Sequence, residues 1–327
     1  NKYVGIASDG SVVTLLAGLR IVKGEEITGT SGSDSLTGSA GGDKIQGLAG
    51  DDTLNGGAGA DLLYGGDGSD VLVYGKEDTV LDGGAGADTL DVRTSGEIID
   101  LQLAGRQNGG TLQPTLVSLE SINLNTTGAN YLILDEATVR SLTDAMASTS
   151  LTVSGNSDDI IFVDGATTPA DLSTVTTTLT LSGSSTLNLS GGVTVRAVIK
   201  DDADAANIND SIVGTAGQDA IKSGDGKDTV DGGTGADIVY AGAGDDVVYH
   251  DAADLRIFGE GGTDTLVVTA VDANGGVTAT NGGTNSAAGD IDFTTTAGTI
   301  YTGFEVISMR GNGNQTIKLD EPSVLAM

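Results

Sequence analysis

Apolar residues return every nine positions along two stretches of this chain. Cut from Gly29 in steps of nine, the first stretch gives seven units ending at Asp91. Its eighth place is always apolar: Leu36, Ile45, Leu54, Leu63, Leu72, Leu81 and Leu90. Cut from Ala205, the second gives seven more ending at Val267, with Ile212, Ile221, Val230, Val239, Val248, Ile257 and Leu266 in that place. A fixed period of this kind marks stacked repeats rather than one globular core. In a unit such as GGAGADLLY (56–64), glycines at places one, two and four allow a tight turn and close backbone approach. What remains is a very short strand with one side chain facing inward. The pattern therefore predicts an all-β fold of two stacks.

The polar places are as regular as the apolar ones. Asp34, Asp43, Asp52, Asp61, Asp70 and Asp88 hold the sixth place of the first array, and Asp210, Asp219, Asp228, Asp237, Asp246 and Asp264 that of the second. Only the sixth unit of each array departs, with Thr79 and Leu255. Stacked turns set successive carboxylates about 4.8 Å apart, where like charges repel by about 1 kcal/mol even in water. One buried side chain per nine ordered residues is a weak counterweight. A hard divalent cation held by carboxylates and turn carbonyls reverses the sign of the repulsion, and its binding energy becomes folding energy. The repeat is read as a calcium site.

These units resemble the GGxGxDxUx nonapeptides of RTX proteins, the hemolysin-type calcium-binding repeats that wind into parallel β-rolls. The resemblance implies two units per right-handed turn, with calcium between units two apart. One unit supplies the carbonyls of places two and four and its Asp, and the other the carbonyls of places one and three and its Asp. Carried onto the first array, this joins Thr30, Gly32 and Asp34 to Gly47, Ala49 and Asp52, and Ser39, Gly41 and Asp43 to Gly56, Ala58 and Asp61. It also joins Leu48, Gly50 and Asp52 to Gly65, Asp67 and Asp70, and Gly66, Gly68 and Asp70 to Gly83, Ala85 and Asp88. In the second array it joins Ala206, Ile208 and Asp210 to Ser223, Asp225 and Asp228, and Thr215, Gly217 and Asp219 to Gly232, Thr234 and Asp237. Two more sites follow, from Gly224, Gly226 and Asp228 with Ala241, Ala243 and Asp246, and from Gly242, Gly244 and Asp246 with Gly259, Gly261 and Asp264. The expectation is about eight calcium ions, with affinities of about 10⁻⁴–10⁻³ M if the sites behave like other extracellular modules.

The sequence between and after the arrays is duplicated too. LVSLESINLNTTGANYLILDEATVRSL (116–142) corresponds to YTGFEVISMRGNGNQTIKLDEPSVLAM (301–327), matching Glu120 to Glu305 and Val139 to Val324. Nine extra residues in the second copy fall within the polar stretch 271–290. Each flank predicts two strands and a short helix opened by Asp135 or Asp320 as N-cap, with Pro322 in the first turn. The segments 151–165 and 179–199 alternate with period two and predict half-buried strands. The expected organisation is an N-terminal β cap (1–28), a roll (29–91), a β-rich region with a short helix (92–204), a second roll (205–267) and a β-rich region (268–327) matching 92–142. Because the second copy stops where the first continues, the chain is expected to be a piece of a longer repetitive protein.

Composition narrows the function. A net charge of −31 makes nucleic acid and anionic lipid poor partners, and no apolar run has the length of a membrane span. Cysteine is absent, so neither disulfides nor thiol chemistry contribute. A single histidine excludes HExxH, and GxSxG and P-loop motifs are missing, so no enzymatic activity is expected. His250 is read as a solvated turn residue, and Asp201, Asp202 and Asp204 as solvation at the start of the second roll. The chain is similar to calcium-dependent S-layer proteins and giant RTX adhesins of Gram-negative bacteria. That implies type I secretion to the cell surface, calcium-triggered folding, self-association into a lattice or fibre, and contact with surface polysaccharide. An adhesin or biofilm-matrix module and the carrier region of a secreted enzyme or toxin are the alternatives.

Overall fold

A computed structural model describes residues 3–6, 12–15, 24–103, 107–108, 111–112, 114–124, 127–143, 150–165, 178–181, 185–200, 209–250, 253–269, 291–292, 300–310 and 317–318. The helix expected after Asp320, the insertion 271–290, residues Ala206 and Ile208, and the acidic stretch 201–204 lie outside these. The fold is nearly all β, with parallel sheets and one α-helix among the described residues.

In the first array odd units pair with odd and even with even, each strand lying in register with the one 18 residues on. Ser35 faces Thr53, and Thr53 faces Val71. On the other side Lys44 faces Leu62, and Leu62 faces Val80. Two nine-residue units therefore complete one coil of a parallel β-roll. The eighth-place side chains meet inside it, and Ile45, Leu54, Leu63, Leu72, Leu81 and Leu90 have no exposure at all. The second array repeats the arrangement, Ser211 facing Thr229 and Ala220 facing Ile238.

The sheets do not stop where the nine-residue units do. Thr89–Asp91 pairs with Ser121–Asn123, that strand with Ser150–Ser154, and that with Thr186–Ser190, all parallel. A further sheet runs alongside through Ile98–Asp100, Tyr131–Leu134, Ile160–Val163 and Thr194–Ala197. Each coil now spans about thirty residues instead of 18, because loops replace glycine turns. The flank 116–142 holds three strands rather than two: Thr115–Val117 and Ser121–Asn123 are separated by Ser118, Leu119 and Glu120, of which Ser118 sits at φ 51°. The helix Glu136–Leu142 forms as expected, Asp135 accepting from the Thr138 amide while the Thr138 hydroxyl receives the Asp135 amide.

Ser150–Ser154 and Thr186–Ser190 are half-buried strands, as their alternation predicts. Ile160–Val163 is buried on both faces instead. Ile161 and Val163 fill the first stack, while Ile160 and Phe162 join Ile98, Tyr131 and Ile133 on the outer face. Against that face lies the even-unit sheet of the second array, through Ala220, Ile238, Tyr240 and Phe258. The two stacks thus share a buried layer that contains the aromatic rings of Tyr131, Phe162, Tyr240 and Phe258.

Two units place a side chain where the turn favours glycine. Leu48 and Glu260, both in the second place, have φ of 86° and 68°. A left-handed conformation costs a non-glycine residue about 1–2 kcal/mol, part of which glycine returns through its own entropy. Leu48 is 47% exposed, so little burial is lost by removing it. Leu48→Gly is expected to raise stability by about 0.5–1 kcal/mol at saturating calcium, read by urea denaturation.

Candidate metal centre

A sixth-place carboxylate with another sixth-place Asp two units before it is divided between two tasks. Its Oδ1 accepts the backbone amide of the Asp two units earlier: Asp34 donates to Asp52 at 2.7 Å, Asp43 to Asp61 at 2.6 Å, Asp52 to Asp70 at 2.8 Å and Asp70 to Asp88 at 2.8 Å. The second array gives Asp210 to Asp228 at 2.7 Å, Asp219 to Asp237 at 2.9 Å, Asp228 to Asp246 at 2.8 Å and Asp246 to Asp264 at 2.9 Å. The Oδ2 atoms of Asp52, Asp61, Asp70, Asp88, Asp228, Asp246 and Asp264 are buried and accept no hydrogen bond. A buried carboxylate oxygen without a partner is costly, and a row of them is costlier.

Glycine creates the space beside these atoms. A Cβ on Gly65 would stand 2.2 Å from Asp70 Oδ2 and 2.3 Å from the Gly83 carbonyl oxygen. Backbone carbonyl and unpartnered carboxylate therefore converge on the same gap. Gly66, at φ 120°, turns the chain there.

The turns paired by sequence are stacked in register. Leu48 faces Gly66 and Ala49 faces Asp67, while Asp225, Ala243 and Gly261 form consecutive bridges. The Gly50 amide donates to Asp67 and that of Gly68 to Ala85, both at 2.8 Å. The amides of Ala58, Thr234, Ala243 and Gly261 donate to the carbonyls of Ser39, Thr215, Gly224 and Gly242. Each such carbonyl keeps a second lone pair. No group of three or more acidic or histidine side chains gathers among the described residues, so two carboxylates per turn pair must be completed by carbonyl oxygens. Oxygen-only, carbonyl-rich ligation suits calcium. The residues present fit that ion.

The family model for the RTX calcium-binding nonapeptide repeat (four copies) matches residues 28–63, 37–72, 46–79 and 75–92, then 205–239 and 223–254. Both arrays are RTX calcium-binding repeats. No curated protein matches the chain. The seventh RTX unit of the second array lies beyond the matched segments, yet Asp264 receives the Asp246 amide as its counterparts do.

Not all RTX turns are alike. Where the second place is Thr or Ser, the turn satisfies its own Oδ2. Thr30 donates to Asp34 from its amide at 2.6 Å and its hydroxyl at 2.9 Å. Ser39 does so to Asp43 at 2.5 and 3.1 Å, and Thr215 to Asp219 at 2.7 and 2.8 Å. Burial pushes Asp43 up, but the Ser39 and Glu25 amides and the Ser39 hydroxyl together hold its carboxyl below the usual range. Asp61, Asp70 and Asp264 are pushed up by burial and by neighbouring carboxylates. The same two causes carry Asp88 and Asp246 to about 6. In the absence of a cation these carboxyls are harder to ionise than an ordinary aspartate.

The sixth units depart in a way that the sequence signalled. Each has its Asp one place early, as Asp78 and Asp254, and both are buried. Burial and Asp61 raise Asp78 to about 7, with the Gly75 amide 2.9 Å from its Oδ2. Asp78, not Thr79, is thus the acid that stacks on Asp61. Asp254 instead stands 3.8 Å from His250 Nδ1, which lies 2.9 Å from the Tyr301 hydroxyl. His250 is a buried strand residue, not the solvated turn residue expected, because the strand Val247–His250 runs on to that place.

Proposed function

We propose that this calcium-binding RTX chain is a structural scaffold of a bacterial cell-surface protein, assembling in the manner of an S-layer. The observation that carries the reading is the row of buried, unpartnered carboxylate oxygens in both rolls. They commit the inward-turned carboxylates of the arrays to ion binding, and ion binding to holding coils together. RTX repeats are typical of secreted bacterial proteins, and export of an unfolded chain from a calcium-poor cytosol by type I secretion fits a fold that calcium completes. In this reading the chain is not an enzyme. Its partners are calcium, further copies of itself and surface polysaccharide.

A calcium titration of the purified chain, followed by far-UV circular dichroism and light scattering on the same samples, tests this. Folding together with large ordered assemblies is expected. A chain that folds with calcium and stays monomeric at high concentration favours the adhesin or carrier reading instead. A chain fully folded without calcium removes the basis for all three.

A further inference from the structure

The amide ladder of each roll ends on a glutamate outside the nonapeptides. Asp88 donates its amide to Glu120 Oε2 at 2.9 Å, and Asp264 donates to Glu305 Oε2 at 2.7 Å. Both are the step an aspartate makes elsewhere in the array. Glu120 follows Asp88 by 32 residues and Glu305 follows Asp264 by 41, so the two copies reach the same contact across different lengths of chain.

The backbone continues the pattern as well. Beside Gly65 the gap is bounded by Asp70 Oδ2 and the carbonyl of Gly83, the first-place glycine one coil on. Beside Gly83 that carbonyl is supplied by Ser118, whose oxygen would stand 2.1 Å from a Cβ, with Asp88 Cγ at 2.7 Å. Beside Gly259 it is supplied by Gly303, also at 2.1 Å, with Asp264 Oδ2 at 2.7 Å. Ser118 and Gly303 take the positive φ of a turn, at 51° and 76°. One residue separates each from its glutamate, Leu119 or Phe304, and both of these are buried. Four residues separate the first place from the aspartate in a regular unit. The longer side chain of glutamate matches the shortened turn.

Asp88 and Asp264 have no exposure, and the Oδ2 of each accepts no hydrogen bond. These are the same unpartnered oxygens that mark the array sites, here on side chains that stand beside a carbonyl and a carboxylate from outside the array. We propose that each roll closes on one additional calcium site, formed by Asp88 with Glu120 and the Ser118 carbonyl, and by Asp264 with Glu305 and the Gly303 carbonyl. The proposal rests on the calcium reading of the arrays. In each case the ion ties the last coil of the roll to the strand that follows it, Ser121–Asn123 or Val306–Arg310.

Glu120→Gln and Glu305→Gln keep an acceptor for the Asp88 and Asp264 amides while removing the charge. Native mass spectrometry of calcium-saturated protein is expected to count one ion fewer in each single variant and two fewer in the double variant. An unchanged count in the double variant overturns the proposal. Anomalous scattering from crystals of the unaltered calcium-loaded chain needs no variant to fold, and peaks are expected at Asp88–Glu120 and Asp264–Glu305. Peaks between Asp52 and Asp70 without these two overturn the closing sites alone. Peaks at neither overturn the calcium reading with them.

Discussion

Calcium-free protein is expected to lose most of its β-roll signal at neutral pH and to regain stability as the pH is lowered, the reverse of the calcium-loaded protein. In the folded, calcium-free state Asp78 titrates at about 7 and Asp88 and Asp246 at about 6, against an ordinary value of 3.8. The folded chain therefore holds protons that the unfolded chain has released. The stability these three carboxyls contribute is fully present below about pH 4 and falls as the pH rises through about 6 to 7. With calcium bound, the same carboxylates act as ionised ligands, and acid displaces the ion and removes stability. Each site contributes about 2.7 kcal/mol when calcium exceeds its dissociation constant a hundredfold, so the calcium effect dominates at neutral pH. Melting curves of dialysed and calcium-loaded protein between pH 4.5 and 8 test the sign. A calcium-free Tm that climbs with pH, or curves that coincide with and without calcium, would sink the account.

The rolls were legible because one short period carries their whole architecture. Leu54 could be placed inward and Asp52 in the stacked row of carboxylates from spacing alone, since an 18-residue coil repeats the same environment. Asp78 and Asp254 escaped because the period was applied rigidly, although both arrays show the same one-place shift. Glu120 and Glu305 were matched to each other as duplicated residues, but their contact with Asp88 and Asp264 bridges 32 and 41 residues and leaves no mark in the period. The segments 151–165 and 179–199 were read as half-buried strands. Alternation does describe Ser150–Ser154, but Tyr131–Leu134 and Ile160–Val163 are unbroken apolar runs. Such a run signals a strand covered on both faces. What covers the second face is another part of the chain, and no local pattern reveals that.

Phe162→Ala is expected to destabilise the protein by about 3–5 kcal/mol and to split its unfolding into two transitions. Phe162 has no exposure and lies in the layer between the stacks, where Tyr240 and Phe258 pack ring on ring with centroids 5.0 Å apart. Polar contacts at its border depend on the same approach. Lys222 Nζ stands 3.3 Å from Asp100 Oδ2 and 5.0 Å from the centre of the Tyr240 ring, and it also meets Gln102. Gln218 donates to the Tyr131 hydroxyl at 3.2 Å. Burial pushes the Asp100 carboxyl up against the opposing pull of Lys222, so this pair adds little net stability, and apolar packing carries the junction. Opening a cavity there therefore weakens the join more than it weakens either roll, whose own interior is lined by other residues. Differential scanning calorimetry at saturating calcium reads the result directly. A single transition lowered by less than about 1 kcal/mol would mean that the stacks do not depend on this layer.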